Sequence, residues 1–347
     1  MNLLPAVAAP IEGSWLAGVL GRCAFPDPSG GPVTLAVSGG ADSTALMVLA
    51  GRAGLSGTVV HVDHGLRPGS ASEGDYVAQV AAGLGFEFRQ ERVEVGAGPD
   101  LEARARRARY AVLPAGVLTG HTMDDQAETI LLNVLRGAAL DGLAGMRHPA
   151  RPWPGGRPGP DTGAGVGLDD SFDSLVDRQE DHAGSARTRR PLLGLRRSET
   201  VEVCRRSRLD PLADPSNQDD RFRRNRVRSE LLPLVNLIAE RDVVPVLARQ
   251  GALLADDAEL LDDLAAAVDP TDVAALRSAP APLARRALRS WLRAGAERHP
   301  PTAAELARVM DVAAGHHQAC QLAGGRRVAR SGGRLYLQDS SCREEPE

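Results

Sequence analysis

The chain has 347 residues, 43% of them apolar and 25% charged, with a formal charge of −4. That balance excludes wholesale disorder, and the small negative charge gives no global basic field for a polyanion. Arginine supplies all 41 positive side chains, and the absence of lysine excludes a Walker-type phosphate loop, which depends on its lysine. The length suits one large domain or two ordinary ones. No window of about 18 residues is apolar and uncharged, so no membrane span is expected. The opening MNLLPAVAAP lacks the charged leader of a secretory signal. Cys23, Cys204, Cys320 and Cys342 are far apart, with no CxxC pair. That usage predicts a reducing cytoplasm and offers no zinc or iron–sulfur spacing.

Residues 32–140 alternate short β-type runs with helical periods. VTLAV (33–37), TVVHV (58–62), FEFRQERV (86–93) and GVLTG (116–120) read as strands, with helices over 43–52, 71–84, 100–113 and 123–136. Strands separated by helices at this spacing predict βαβ crossovers and a Rossmann-like parallel sheet. Ligands on such a sheet sit at the carboxyl ends of the strands. Residues 149–187 open proline- and glycine-rich, and 161–182 then carry seven acids against one arginine. They read as a disordered insertion. The sign then reverses, with 13 arginines against six acids over 187–228. Helical periods return at 243–266, 283–298 and 303–315, and VARSGGRLYLQ (328–338) reads as a hairpin turning at Gly332-Gly333. The predicted division is a first domain over 1–228 and a smaller, mainly helical domain over 229–347.

Ser38-Gly39-Gly40-Ala41-Asp42-Ser43 joins the first strand to the first helix. Two glycines allow a sharp turn that brings backbone N–H groups to an anion, and the helix start adds its dipole. Ser38 and Ser43 can donate hydroxyls, and Asp42 can hold Mg²⁺ against a polyphosphate. The hexapeptide resembles the signature of the N-type ATP pyrophosphatases, the PP-loop family. The resemblance implies ATP bound over Ser38–Ser43 and cleaved between its α- and β-phosphates, with an oxygen of the substrate adenylated.

Four further segments resemble one branch of that family, the tRNA(Ile)-lysidine synthetases. The first is His61-Val62-Asp63-His64-Gly65-Leu66-Arg67-Pro68, which reads equally as a polar strand end or as part of a metal site. The second is Glu102 with Ala105-Arg106-Arg107-Ala108-Arg109-Tyr110. Arg106 and Arg109 share a helix face, either solvated or turned to phosphate, for which the arginine fork is suited. The third is GHTMDDQAET (120–129), where Asp124, Asp125 and Glu128 fall on one face of a helix start. Capping explains some of these acids; an ammonium group or Mg²⁺ would also be held by them. The fourth is Arg190-Pro191-Leu192-Leu193, followed by Asp214-Pro215-Ser216-Asn217 and the cluster Arg224, Arg226 and Arg228, whose charge suits phosphates of ATP or tRNA.

This resemblance covers about 33–233. It implies a cytoplasmic ligase acting on tRNA(Ile) with a CAU anticodon, with ATP, Mg²⁺ and free L-lysine as small-molecule partners, and it admits a homodimer. Asp42, Arg106, Asp125 and Glu128 are its expected catalytic residues, with Asp125 and Glu128 receiving lysine. Arg109, Arg224, Arg226 and Arg228 are assigned to phosphate or tRNA, and the resemblance implies a catalytic domain over 1–228 and tRNA binding by 229–347. A tRNA thiolase of the same fold would carry sulfur on cysteine pairs, and none is spaced for that. A glutamine-dependent amidotransferase would need a cysteine where Asn2 stands. An ATP-sensing module without chemistry has little use for the acid helix.

Overall fold

The computed structural model describes residues 13–63, 65, 70–94, 101–146, 188–212, 222–293 and 301–338. The predicted insertion at 149–187, residues 214–217, His64 and residues 66–68 lie outside them, and the described chain resumes at Thr188.

The described residues up to 132, together with 145–146 and 188–252, form one compact unit; 133–144 and 253–338 form a second. The first is built on a five-stranded parallel sheet in the order β3-β2-β1-β4-β5. Its strands are β1 (Val33–Ala36), β2 (Gly57–Asp63), β3 (Glu87–Arg92), β4 (Val117–Thr119) and β5 (Thr188–Arg189). The four predicted strands are all present, within a residue or two of their expected bounds. β5 was not foreseen, because two residues inside an arginine-rich stretch carry no period. The helices Ala41–Arg52, Ser70–Gly83, Leu101–Val112 and Met123–Leu135 supply the connections. The expected parallel α/β fold is therefore the observed one.

The helix Ala41–Arg52 is buried from Ser43 to Ala50, which explains why its sequence shows apolar residues on all sides rather than a stripe. It packs with Leu35, Val59, Leu118, Leu192, Leu195 and Val203 in the main core. Chain order reverses at β1: β2 and β3 lie to one side, β4 and β5 to the other. The crevice at a switch point of this kind is the usual ligand position in an open α/β sheet. Here it lies between the loop after β1 and the loop after β4, the two loops that carry the most informative motifs.

The second unit buries Leu276, Leu288, Leu292, Leu306, Val309 and Val312 against Val328 and Leu335. Those last two belong to an antiparallel sheet of β6 (Ala319–Gln321), β7 (Arg327–Ser331) and β8 (Arg334–Gln338). The β7–β8 hairpin turns at Gly332-Gly333, where φ is 56° and 76°, as the sequence predicted. The helix Ala303–Ala314 starts with a capping box between Thr302 and Glu305, and Glu305 also accepts the N–H of Ala323 at 2.6 Å. Inside this unit Asp141 accepts a hydrogen bond from Arg286 at 2.7 Å and lies 3.6 Å from Arg289.

Candidate active site

The loop after β1 is held by its own short side chains. Gly39 has φ 92°, a left-handed conformation that favours glycine. A Cβ there would also stand 2.7 Å from Leu212 Cδ1. The Ser43 hydroxyl donates to the Gly40 carbonyl at 3.0 Å and accepts the Ser38 N–H at 3.2 Å. Thr44 donates its hydroxyl to the Gly39 carbonyl at 3.1 Å. Ser38, Gly39, Gly40, Ala41, Asp42 and Ser43 thus form one preformed turn running into a helix N-terminus, the geometry that receives phosphate. His61 is buried, and its Nδ1 lies 2.9 Å from the Val37 carbonyl. A carbonyl only accepts, so Nδ1 carries the proton and His61 ties β2 to β1. Among the described residues no three His, Cys, Asp or Glu side chains are grouped to hold a metal.

The loop after β4 approaches from the other side. A Cβ on Gly120 would stand 2.7 Å from the Asp42 carbonyl oxygen, so glycine there lets the two backbones meet. Thr122 donates both its N–H and its hydroxyl to Asp125 Oδ2, each at 2.8 Å, closing the start of the helix Met123–Leu135. Capping is therefore a real part of the work of Asp125. Asp124 turns to the helix Arg197–Arg206: it accepts the Arg197 N–H at 2.8 Å and two bonds from the Arg196 side chain at 3.0 and 3.1 Å.

Three arginines converge on Asp125 and Glu128. Arg228 grips Glu128 with two bonds, at 2.7 and 3.1 Å, and Arg224 adds one at 2.9 Å. Arg197 reaches Glu128 at 3.0 Å, Asp125 at 2.8 Å and Asp42 at 3.3 Å. Asp42 also accepts a hydrogen bond from the Thr200 hydroxyl. Counted across these contacts, three carboxylates face three guanidiniums, and the Glu128 side chain is 0% exposed.

Burial acts to raise both carboxyls of the acid pair. Arg224 and Arg197, with the Thr122 donors, outweigh it at Asp125 and hold that group below the usual carboxylate range. Arg228 and Arg224 do the same for Glu128. Asp42 goes the other way: burial and then the Asp125 charge push it up, against the pull of Thr200 and Arg197. The Arg197 guanidinium loses by burial and gains more from its three carboxylates, so it is raised.

The sequence reading gave the acids to one ligand and the arginines to another, whereas the fold brings Asp125, Glu128, Arg224 and Arg228 into direct contact. Arg226 is not among them; it faces away and pairs with Glu230 at 2.9 Å in an exposed position. Arg109 is exposed on the helix Leu101–Val112. The side chain of Arg106, on the same helix, lies outside the described residues. Arg197 was missed altogether. The available signal was its place at the start of a helix four residues beyond RPLL, but one arginine among 13 carries no mark of its own.

A family profile of the PP-loop domain matches residues 24–235, and a profile of the TilS substrate binding domain matches residues 272–336. The tRNA(Ile)-lysidine synthase of Mycolicibacterium paratuberculosis is 40% identical over 273 residues, which is 75% of this chain and 74% of that protein. The synthase of Nocardia farcinica is 38% identical over 273 residues, 75% of each. The Salinispora tropica protein of the same name is 41% identical over 255 residues, 70% of this chain and 67% of its own. Among solved structures, the U34-tRNA thiolase NcsA from Methanococcus maripaludis is similar over 73% of this chain and 78% of its own, with a TM-score of 0.44 and 13% identity. That likeness is too loose to carry a functional argument. The phosphate loop, acid helix and arginine cluster all lie within the matched span, and the chain belongs to the tRNA(Ile)-lysidine synthase family of PP-loop proteins.

Proposed function

We propose that this chain ligates free L-lysine to C2 of the wobble cytidine of CAU-anticodon tRNA(Ile), consuming ATP and releasing pyrophosphate and AMP. The C2 oxygen of the base attacks the α-phosphorus and pyrophosphate leaves. The ε-amine of lysine then attacks C2, and AMP departs with the oxygen. The observation that carries this reading is the meeting, in one crevice, of a preformed phosphate loop and a buried acid pair wrapped in arginines. In this reading the N–H groups of the loop meet the charge that develops on phosphate, in a turn already formed before ATP arrives. Asp125 and Glu128 supply carboxylate acceptors that an amine-bearing substrate would take over from a guanidinium donor, and a carboxylate beside that amine can accept its proton.

Mg²⁺ takes one or two protein carboxylates and fills its remaining positions with phosphate oxygens and water. Asp42, one carboxylate at the mouth of the phosphate loop, fits that need for an ion carried in by ATP. Bound there, the ion would neutralise charge on the polyphosphate. The base must be unstacked to be reached, which suits a single-stranded anticodon loop. The thiolase alternative finds no support at the cysteines: burial pushes the thiols of Cys23 and Cys204 up to about 12, far from a sulfur-carrying thiolate. Among the described residues Cys23, Cys204 and Cys320 are free thiols, and no described helix is long and apolar enough to cross a membrane. The test is incorporation of labelled lysine into tRNA(Ile) with AMP and pyrophosphate measured in parallel. Product should require lysine, ATP and the CAU anticodon, and product formed on the methionine tRNA at equal rate would refute the substrate assignment.

A further inference from the structure

The acid pair has no open acceptor position. A carboxylate offers about four lone-pair sites. On Glu128, Oε1 takes Arg197 and Arg228, and Oε2 takes Arg224 and Arg228. On Asp125, Oδ2 takes both Thr122 donors, and Oδ1 takes Arg197 at 2.8 Å and, more loosely, Arg224 at 3.5 Å. An incoming ammonium must therefore displace a donor, and the donors are not equivalent. Thr122 is fixed by the helix start. Arg228 grips Glu128 with two bonds. Arg197 makes a single bond to each of three carboxylates, one of which, Asp42, stands beside the phosphate loop. Its backbone is anchored by the N–H bond to Asp124, so a change of partner needs only its side chain to move.

We propose that Arg197 is a positioning residue shared by the two small substrates, which trades its bonds to the acid pair for phosphate oxygens as they arrive and so makes nucleotide and lysine bind with positive coupling. The physical basis is charge balance. Among these six groups three carboxylates already meet three guanidiniums, so an added ammonium leaves one cation in excess. A polyphosphate on the loop gives that cation a partner. Each ligand thereby lowers the cost of admitting the other, and linkage makes the effect reciprocal. Arginine suits the exchange because its planar fork spans several acceptors at once and its charge is permanent. The proposal rests on the assignment of lysine to the acid pair.

The experiment is equilibrium dialysis of radiolabelled lysine against the full chain, with and without saturating Mg²⁺ and α,β-methylene-ATP, whose bridging carbon resists cleavage. The nucleotide should tighten lysine binding about fivefold or more, within the ordinary range of coupling between sites. Arg197→Lys keeps the charge but loses the fork. It should melt near the wild-type temperature and still bind both ligands, each indifferent to the other. A purely structural role for Arg197 predicts a shifted melting temperature with the coupling intact. Equal lysine affinity with and without nucleotide in the wild-type chain overturns the proposal whatever the variant does, as does coupling that survives in Arg197→Lys. Lysine that binds under neither condition overturns the substrate assignment itself, and this proposal with it.

Discussion

Glu128, proposed above to receive lysine, is also bound tightly into the fold. Its carboxylate is wholly buried and receives bonds from three arginines. Removing one partner of such a cluster leaves uncompensated charge, typically at a cost of about 3–5 kcal/mol. Glu128→Gln is therefore expected to lower the melting temperature as well as weaken lysine binding, a double effect that thermal denaturation beside a lysine titration will reveal. The pH dependence has a definite sign. Asp125 and Glu128 are held below the ordinary carboxylate range, so their contribution is present above the unfolded values and is lost as pH falls through the folded ones. Asp42 is raised, so the penalty of burying its charge is relieved on acidification and opposes that trend. The wild-type melting temperature should fall as pH drops below about 4, and Glu128→Gln should fall less steeply. Asp42→Ala should cut lysine incorporation by more than tenfold, a loss above about 1.4 kcal/mol. Retention of more than a tenth of the rate would remove Asp42 from the machinery.

Among the elements, the site depends on two loops meeting backbone to backbone. The contact is set by Gly120, whose missing side chain admits the Asp42 carbonyl and the Ser43 Cα, which a Cβ would approach to 2.7 and 3.0 Å. Because the obstacle is backbone, it cannot rotate away. Gly120→Ala should force the loops apart at a cost of about 1–3 kcal/mol and weaken nucleotide binding measured by calorimetry. Unchanged nucleotide affinity would show that the loop after β4 has no part in shaping the phosphate site. The segment RPLL has a similar architectural task. Leu192, Leu193 and Leu195 enter the core, and the Leu195 carbonyl accepts the N–H of Met123 at 2.8 Å. That bond sets the start of the acid helix just before the helix bearing Arg197 begins.

In the molecule as a whole, the two compact units are not successive halves of the chain. Residues 133–144 group with 253–338, and they bring Asp141 to Arg286 and Arg289. Burial pulls the Arg289 guanidinium down to about 10, against the pull of Asp141, so that carboxylate matters to the unit that borrows it. Asp141→Ala should destabilise the second unit by about 3–5 kcal/mol, read as a lowered transition in calorimetry. Adding Arg289→Leu should restore part of the loss, since it removes one stranded charge. A transition that does not move would mean that water reaches these arginines freely.

The sequence by itself determined the parallel α/β class, four of the five strands, the phosphate loop and the acids that face it. Each is a local pattern: apolar runs of strand length, glycines before a helix, carboxylates one turn apart. The β7–β8 hairpin was legible for the same reason, through its paired glycines. Partnership between distant residues was decided only by the tertiary structure. Arg197 lies 155 positions from Asp42 and 69 from Glu128, and nothing local distinguishes it from its neighbour Arg196. Arg224 and Arg228 read as a phosphate surface because charge alone does not say which opposite charge it will meet. Long-range packing settled that, by carrying a helix start and an arginine-rich turn onto the same two carboxylates.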